Sequence, residues 1–493
     1  MGYDGQIVET EISYAKSLPS FQIVGLPNSS IQESKERVKS ALISVGFKFP
    51  SLKITINLSP SDIAKDGTHF DLPIALLIAL SGEEESLEDL FVFGELGLDG
   101  SIKESSKIFS LILSLAKQGA IKKVLVPSSL LQRLSIIPSL EVFSCDHLQD
   151  AIAYFKDGKP LKHHETNKLP FPTCTVGESE YYYETNYPLD FAEVKGQEIA
   201  KRASLISACG FHNLVLEGSP GCGKSMIAKR MQYVLPPLSL QEILDKVKLL
   251  SLDDSQIDIS ATRTFRSPHN SSTASSIFGG GSKNAKVGEI ALANSGILFF
   301  DELPHFPKTI LESLREPLED YQVLISRVNY KVQYDANFLF IGAMNPCPCG
   351  NLLSTTKECR CNELEIQRYK NRLSEPFLDR MDLYVQMQNI SASDASSISS
   401  DEIHQTVLRV FKTQKQRGQR TFNAKLNDKE IETFCALESE ANDTLEKAVQ
   451  AFALTFRGIK KTLKVARTIA DINDHNQIKH SDILEALSFR YRT

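Results

Sequence analysis

The chain has 493 residues, 42% of them apolar and 24% charged, with a formal net charge of −6. That length exceeds one ordinary core and predicts roughly two to four domains, and the composition excludes wholesale disorder. The longest apolar run, PIALLIAL at 73–80, is too short to span a bilayer, and the polar start MGYDGQIVETE lacks the layout of a secretory signal, so a cytoplasmic protein is expected.

Residues 1–156 alternate strand and helix signals. SSIQESKERVKSALISVG reads as a helix opened by a capping box of Ser30 and Glu33 and closed at Gly46. KITINLSP alternates Ile54, Ile56 and Leu58 as a half-buried strand does, and FDLPIALLIAL follows as a buried helix. Strands near FVFGEL and KKVLVPSS complete a mixed α/β domain. From 157 to 187 the prolines, mixed charge and lack of periodicity predict an interdomain linker, whose tyrosine triplet can pack on either neighbour.

Residues 188–395 carry the chemistry. NLVLEGSPGCGKS is a strand, a glycine-rich loop and a helix start, SGILFFDEL is a buried strand ending in two carboxylates, and FLFIGAMNP is a strand ending at Asn345. Three strands that deliver polar groups at their C-terminal ends predict an open parallel sheet with its ligand along that edge. Residues 396–493 read as largely helical, and their last segment, LTFRGIKKTLKVARTIADIN, is basic on one side.

Gly218, Ser219, Pro220, Gly221, Cys222, Gly223, Lys224 and Ser225 satisfy the eight-residue phosphate-binding loop in its required strand-to-helix context, with Met226 next in line. In such a loop the backbone N–H groups turn inward onto phosphate oxygens at a helix N-terminus, Lys224 reaches the outer phosphates of ATP and Ser225 ligates Mg²⁺. Asp301 is carried to the sheet edge, where it holds Mg²⁺ through water, and Glu302 orients or deprotonates the attacking water. An isolated Asp-Glu is usually a solvated turn, but after a buried strand downstream of such a loop it points to a hydrolase. Asn345 is placed to touch the γ-phosphate or the water.

Four of the nine cysteines, Cys347, Cys349, Cys359 and Cys361, fall in NPCPCGNLLSTTKECRC. Four converging thiolates suit a tetrahedral structural Zn²⁺ with no open position for substrate, which favours a staple over catalysis; a reduced-thiol or redox pair is the other reading. Cys145, Cys174, Cys209, Cys222 and Cys435 are scattered and read as small buried apolar residues.

The segments VKGQEIAKRA, HNLVLEGSPGCGKS, FRSPHNSS, GEIALANSGILFFDELPHF, REPLED, AMNPCPCG, RLSEPFLDRMDL and LKVARTIADI resemble, in this order, the magnesium-chelatase-like AAA+ ATPases of the ComM/YifB type. FQIVGLPNSSIQESKERVKSAL, NLSPSDIAKDGTHFDLPIAL and GELGLDG extend the resemblance over nearly the whole chain. It lacks the family's usual first few residues, so a truncated or alternative start is expected.

The resemblance implies an α/β protein in three parts. These are a Lon-protease-like (ribosomal S5 domain 2-like) domain over 1–156, an AAA+ P-loop parallel-sheet domain over 188–395 and a C-terminal helical lid over 396–493. It further implies a homo-hexameric ring with ATP between subunits, Arg380 as the arginine finger with Arg372 as the alternative, Arg457 as the second sensor, and Val194 and Gln197 on the adenine side. In proteolytic relatives, a serine stands where His69 is found, so no peptidase activity is expected and the domain is left to bind a substrate or support assembly.

The segment 325–335 reads as a hairpin and 262–286 as the insertion typical of this clade. On the resemblance, both point toward a central pore, where Arg263, Arg266, Lys283, Lys286, Arg327 and Lys331 would contact DNA. Two functions follow from the likeness. One is a DNA motor, a helicase that promotes branch migration during integration of single strands in natural transformation. The other is a chelatase-like chaperone that remodels a protein partner.

Overall fold

The computed structural model describes residues 5–81, 89–164, 168–253, 259–280, 287–326, 331–354, 357–389, 395 and 397–491. The chain forms two compact units, Met1–Pro170 with Val247–Ile259, and Phe171–Lys246 with Ser260–Thr493.

In the first unit, the strand Lys53–Ser59 lies between Glu9–Ala15, antiparallel to it, and Ser20–Val24, parallel to it. Its alternation puts Ile54, Ile56 and Leu58 into the core, as the period of two requires. Helix Ser29–Ser44 buries Ile31, Val38, Ala41 and Leu42 on one stripe. Its cap differs from the expected Ser30–Glu33 box: Asn28 holds the N-cap, its side chain accepting from the Ile31 N–H at 3.1 Å. Ser30 therefore sits inside the first turn, where its hydroxyl donates to Asn28 Oδ1 instead. Helix Asp71–Ala79 is apolar on nearly every side and correspondingly buried. A second sheet runs Leu90–Val92, Lys123–Val126, Glu141–Ser144, Lys162–His164, the first three parallel and the last antiparallel.

The second unit is built on a five-stranded sheet in the order Phe265–Arg266, Ile297–Phe300, Leu339–Met344, Leu214–Glu217, Leu383–Gln386, with every pairing parallel. Its three inner strands are buried along their whole length, so they read as continuous apolar runs rather than alternating ones. The hairpin Gln322–Ser326 with Lys331–Asp335 forms as expected. Helices Ser400–Gln416, Asp428–Phe434, Ser439–Ala451, Phe456–Ile472 and His480–Ser488 make the helical C-terminal region.

The linker expectation changes here. The segment 157–187 is not featureless: Thr173–Val176 and Ser179–Tyr182 pair as a hairpin, and Leu238–Ser239 adds a third strand. Its tyrosines choose one neighbour, Tyr181 meeting Phe411 edge-on at 4.9 Å and Tyr183 and Tyr187 meeting His404. Short strands with polar alternation and a two-residue Gly-Glu turn leave little periodicity to read. Several cations of Phe456–Ile472 are also engaged within the fold. Lys460 pairs with Asp428, Lys461 and Lys464 donate to the Met381 and Ala424 carbonyls, and Arg467 is buried against Asp471. Among the described residues, no helix is long and apolar enough to cross a membrane.

Candidate active site

The parallel sheet brings its polar strand ends together. Strand Leu214–Glu217 runs into the loop 218–223, whose Gly221 and Gly223 have φ of +83° and +99°, a region open to glycine at no steric cost. Helix Lys224–Met231 then begins, and its first N–H groups face the loop as an anion cradle. Lys224 Nζ donates to the carbonyls of Gly218 (2.6 Å) and Ser219 (3.0 Å) and to Asn345 Oδ1 (3.2 Å), so the loop lysine and the end of the neighbouring strand meet. Burial lowers the pKa of this ammonium, with Cys222 and Asp301 acting in the other direction.

Ser225 Oγ donates to Asp301 Oδ2 at 2.8 Å, which joins the hydroxyl and the carboxylate expected to hold Mg²⁺. A hard cation with few protein ligands and several waters suits this pair. Glu302 follows with φ of +52°, a strained left-handed backbone for a non-glycine residue. Its side chain is exposed, and its Oε2 accepts from Asn270 Nδ2 at 3.0 Å. Its exposed carboxylate, next in the chain to Asp301, is open to a water that it could deprotonate.

Pro220 and Met226 lie at the rim of the loop, and Ser219 and Cys222 are buried beneath it. Gln197 braces the loop from the side, its amide donating to the Cys222 carbonyl at 3.1 Å and the Gln388 carbonyl at 2.6 Å. Val194 is buried in the core of this unit.

The four-cysteine loop leaves the same sheet edge. Its sulfurs lie within 4.8 Å of one another, with separations of 3.4 Å for Cys347–Cys349 and 3.7 Å for both Cys347–Cys359 and Cys349–Cys359. Tetrahedral zinc with bonds of about 2.3 Å places its sulfurs ~3.8 Å apart, so this arrangement fits a four-thiolate metal and is far too open for a disulfide. Backbone N–H groups of Asn351 and Arg360 hold the Cys349 thiol down at about 6, while the neighbouring thiols Cys349 and Cys347 push Cys359 up and Cys361 up to about 12, so the cluster on its own favours one thiolate and a metal's charge would be needed to hold all four. Gly350 packs against the phosphate loop: a Cβ there would stand 2.6 Å from Pro220 Cδ.

The two arginines sit elsewhere. Arg380 pairs with Glu319 and donates to the Arg315 and Pro376 carbonyls, while Arg457 pairs with Glu319 at 3.0 Å and Asp379 at 3.3 Å. Glu319 thus joins them, and the bonds of neither reach the loop 218–225. Arg372 donates to the Pro304 carbonyl at 3.1 Å.

The expected DNA contacts need correction. Arg263 is buried, 3% exposed, with Nε and Nη2 on the Pro236 and Pro237 carbonyls, Nη1 on Ser295 O and Glu242, and its guanidinium over Phe211 and Phe422. It is a structural cation with all its donors directed inward and cannot line a pore. Arg266 is half-buried and held by both oxygens of Glu289, so its charge is already matched. Lys283, Lys286 and Arg327 lie outside the described residues, as does the side chain of Lys331.

Three groups escaped the sequence reading. Asn270 stands in the quoted FRSPHNSS without a role, and only the fold shows that it reaches Glu302. Glu217, fully buried one residue before the loop, accepts from Gln386 at 3.0 Å and pairs with Lys370 at 3.5 Å. Lys370 ends helix Glu363–Lys370, which is opened by an Asn362–Glu365 capping box immediately after Cys361. A lone acid inside an apolar strand was the available signal for Glu217.

Comparison with known proteins agrees with this geometry. Residues 190–395 match the family described as magnesium chelatase, subunit ChlI, residues 8–129 match subunit ChlI of Mg-chelatase, and residues 397–490 match the ChlI C-terminal family. The chain is 35% identical to competence protein ComM of Haemophilus influenzae over 99% of this chain and 96% of that protein. It is 37% identical to YifB of Escherichia coli over 99% and 95%. The magnesium-chelatase 67 kDa subunit of Heliobacterium mobile is 23% identical over 45% of this chain and 37% of its own length. ATP and Mg²⁺ are the ligands such a site suits, and the chain belongs to the ComM/YifB group of magnesium-chelatase-like AAA+ ATPases.

Proposed function

We propose that this protein is an ATP-hydrolysing ring motor acting on DNA, with helicase activity that promotes branch migration as incoming single strands are integrated. The observation that carries the hydrolase is the convergence of Lys224, Asn345, Ser225 and Asp301 at one sheet edge, with exposed Glu302 next in the chain and held by Asn270. The choice of DNA is supported by the relative named as a competence protein, matched over nearly its full length.

In this reading the loop amides and Lys224 hold the triphosphate, and Ser225 and Asp301 hold Mg²⁺, which supplies charge neutralisation on the phosphate oxygens. Glu302 accepts the proton of a water whose oxygen attacks the γ-phosphorus as the bond to the β-phosphate oxygen breaks and ADP leaves. Asn270 fixes the carboxylate that takes that proton. Arg380 and Arg457, which share Glu319 and not the loop of their own chain, serve the ATP of a neighbouring subunit in a hexamer, so that turnover depends on assembly. The four cysteines bind zinc as a staple beside the phosphate loop.

Residues 1–156 act as a Lon-like domain without peptidase chemistry. His69 is buried in the turn where proteolytic relatives carry serine, and burial keeps its ring neutral by pushing its pKa down to about 4. A protein-remodelling role is the second reading, favoured by the three family matches that all bear the name of a chelatase subunit.

ATP turnover of the purified protein with single-stranded and forked DNA, with Lys224→Ala as the blank, decides between them. Several-fold stimulation that vanishes in the variant supports the DNA motor. Turnover indifferent to DNA moves the assignment to protein remodelling.

A further inference from the structure

The second unit holds a cavity of ≈ 970 Å³ whose lining includes Arg315, Arg380, Arg457, Lys461 and Arg490. Five cations facing one space repel each other unless anions balance them. Most have a partner: Glu319 serves Arg380 and Arg457, Asp379 serves Arg457 and Lys461, and Glu312 serves Arg315.

Arg490 differs. Among the described residues, its guanidinium has no hydrogen bond and no carboxylate within ion-pair distance; Asp379 acts on it only as a more distant charge. Its position is nevertheless built. Gly458, the residue after Arg457, lies under it, and a Cβ on Gly458 would stand 2.6 Å from Arg490 Nη1. Any other residue at 458 would displace the guanidinium from this position. The fold therefore clears backbone to hold a planar, five-donor cation beside Arg457 without giving it a counterion, an arrangement that suits a phosphate group recognised bidentately.

The phosphate has to come from outside the chain. Lys224, Ser225, Asp301 and Glu302 make their bonds to Gly218, Ser219, Asn345, Asn270 and each other, and none of these residues lines the cavity. Phe452, which lines the cavity, is 54% exposed, and Phe456, next to Arg457 in the chain, is 73% exposed, as at a surface that receives another protein. We propose that Arg490 is a further phosphate-contacting residue of this cavity, acting with Arg380 and Arg457 on the triphosphate presented by a second copy of the chain. The inference rests on the ring-ATPase reading above and adds a third arginine to it.

The test compares wild type, Arg490→Gln and Arg490→Lys as full chains, each measured for fluorescent-ADP binding and for Mg·ATP turnover. The expected result for Arg490→Gln is wild-type ADP affinity with turnover reduced at least about tenfold, and for Arg490→Lys an intermediate loss because charge remains and the fork does not. Arg490→Gln is then co-expressed with Lys224→Ala under two different tags, and mixed assemblies are purified through both. Turnover reappears in the mixture, because an intact phosphate loop on one subunit meets an intact Arg490 on the other. Wild-type turnover in Arg490→Gln, a joint loss of ADP binding and turnover, or mixed assemblies that stay inactive would each overturn the proposal. A wild-type protein that binds ADP but hydrolyses no ATP under any condition would instead remove the ATPase reading on which it rests.

Discussion

Replacing Cys359 and Cys361 by serine removes two of the four sulfurs that gather beside the phosphate loop. The recorded separations of 3.4 and 3.7 Å match the ~3.8 Å edge of a zinc–thiolate tetrahedron, so two ligands are too few to keep the ion. On the zinc reading, a metal would close the stretch from Cys347 to Cys361, and tying a loop of about 15 residues removes roughly 3 kcal/mol of closure entropy from the unfolded chain. At about 2.1 cal/mol/K of unfolding entropy per residue, a unit of this size shifts by roughly 1.5 °C per kcal/mol, so the melting midpoint falls by ~5 °C. The loss also reaches the site, because Gly350 packs on Pro220 and a loosened loop withdraws that support. The assay is metal content by mass spectrometry, calorimetry, and fluorescent-ADP binding on the same preparations. About one zinc ion per wild-type chain, none in the variant, a lower midpoint and weaker ADP binding are expected. Metal-free wild type with a midpoint unchanged by the substitutions would refute the reasoning.

Arg263→Ala leaves half-buried Glu242 without its cation and three carbonyls without their donors, so urea unfolding should show a loss of about 3–5 kcal/mol, most of it from the carbonyls. Unchanged stability with weakened DNA binding would restore the contact reading. Asn270→Ala frees the Glu302 carboxylate, so ATP turnover should fall several-fold while ADP affinity holds; equal loss of both would make Asn270 structural. His69 has a pKa of about 4 in the fold against 6.5 in the open chain, so between those values the unfolded state binds more protons. Stability then falls as pH drops from 6.5 toward 4, by about 1.4 kcal/mol per pH unit, and His69→Gln should flatten that slope; identical slopes would contradict the burial argument.

The nucleotide site was legible because its requirements are local. Positive φ at Gly221 and Gly223, a lysine at the helix start and carboxylates ending an apolar run are all written in short stretches. The meeting of Ser225 with Asp301 follows once those stretches are read as parallel strands with a shared edge, whereas the order of the strands is shown only by the fold. The basic residues were not legible, because a cation's role depends on partners distant in sequence. Arg263 and Arg266 occur in the same TRTFRSPHN, yet one is buried on Glu242 and aromatic faces and the other is gripped by Glu289 at the surface. The cap of helix Ser29–Ser44 shows the same limit at short range: Ser30 and Glu33 have the right spacing, but Asn28 lies at the chain reversal and takes the N–H first. The tyrosines of 181–187 were assigned to neither side because aromatic packing on Phe411 and His404 has no sequence period.

The central claim, that Glu302 activates the water at a nucleotide site built by Lys224, Ser225 and Asp301, is tested most directly by ATP binding and turnover of Glu302→Gln. The account predicts that the variant binds ATP as wild type does and that turnover falls by about a hundredfold or more. Turnover close to wild type in a variant that still binds ATP would contradict it.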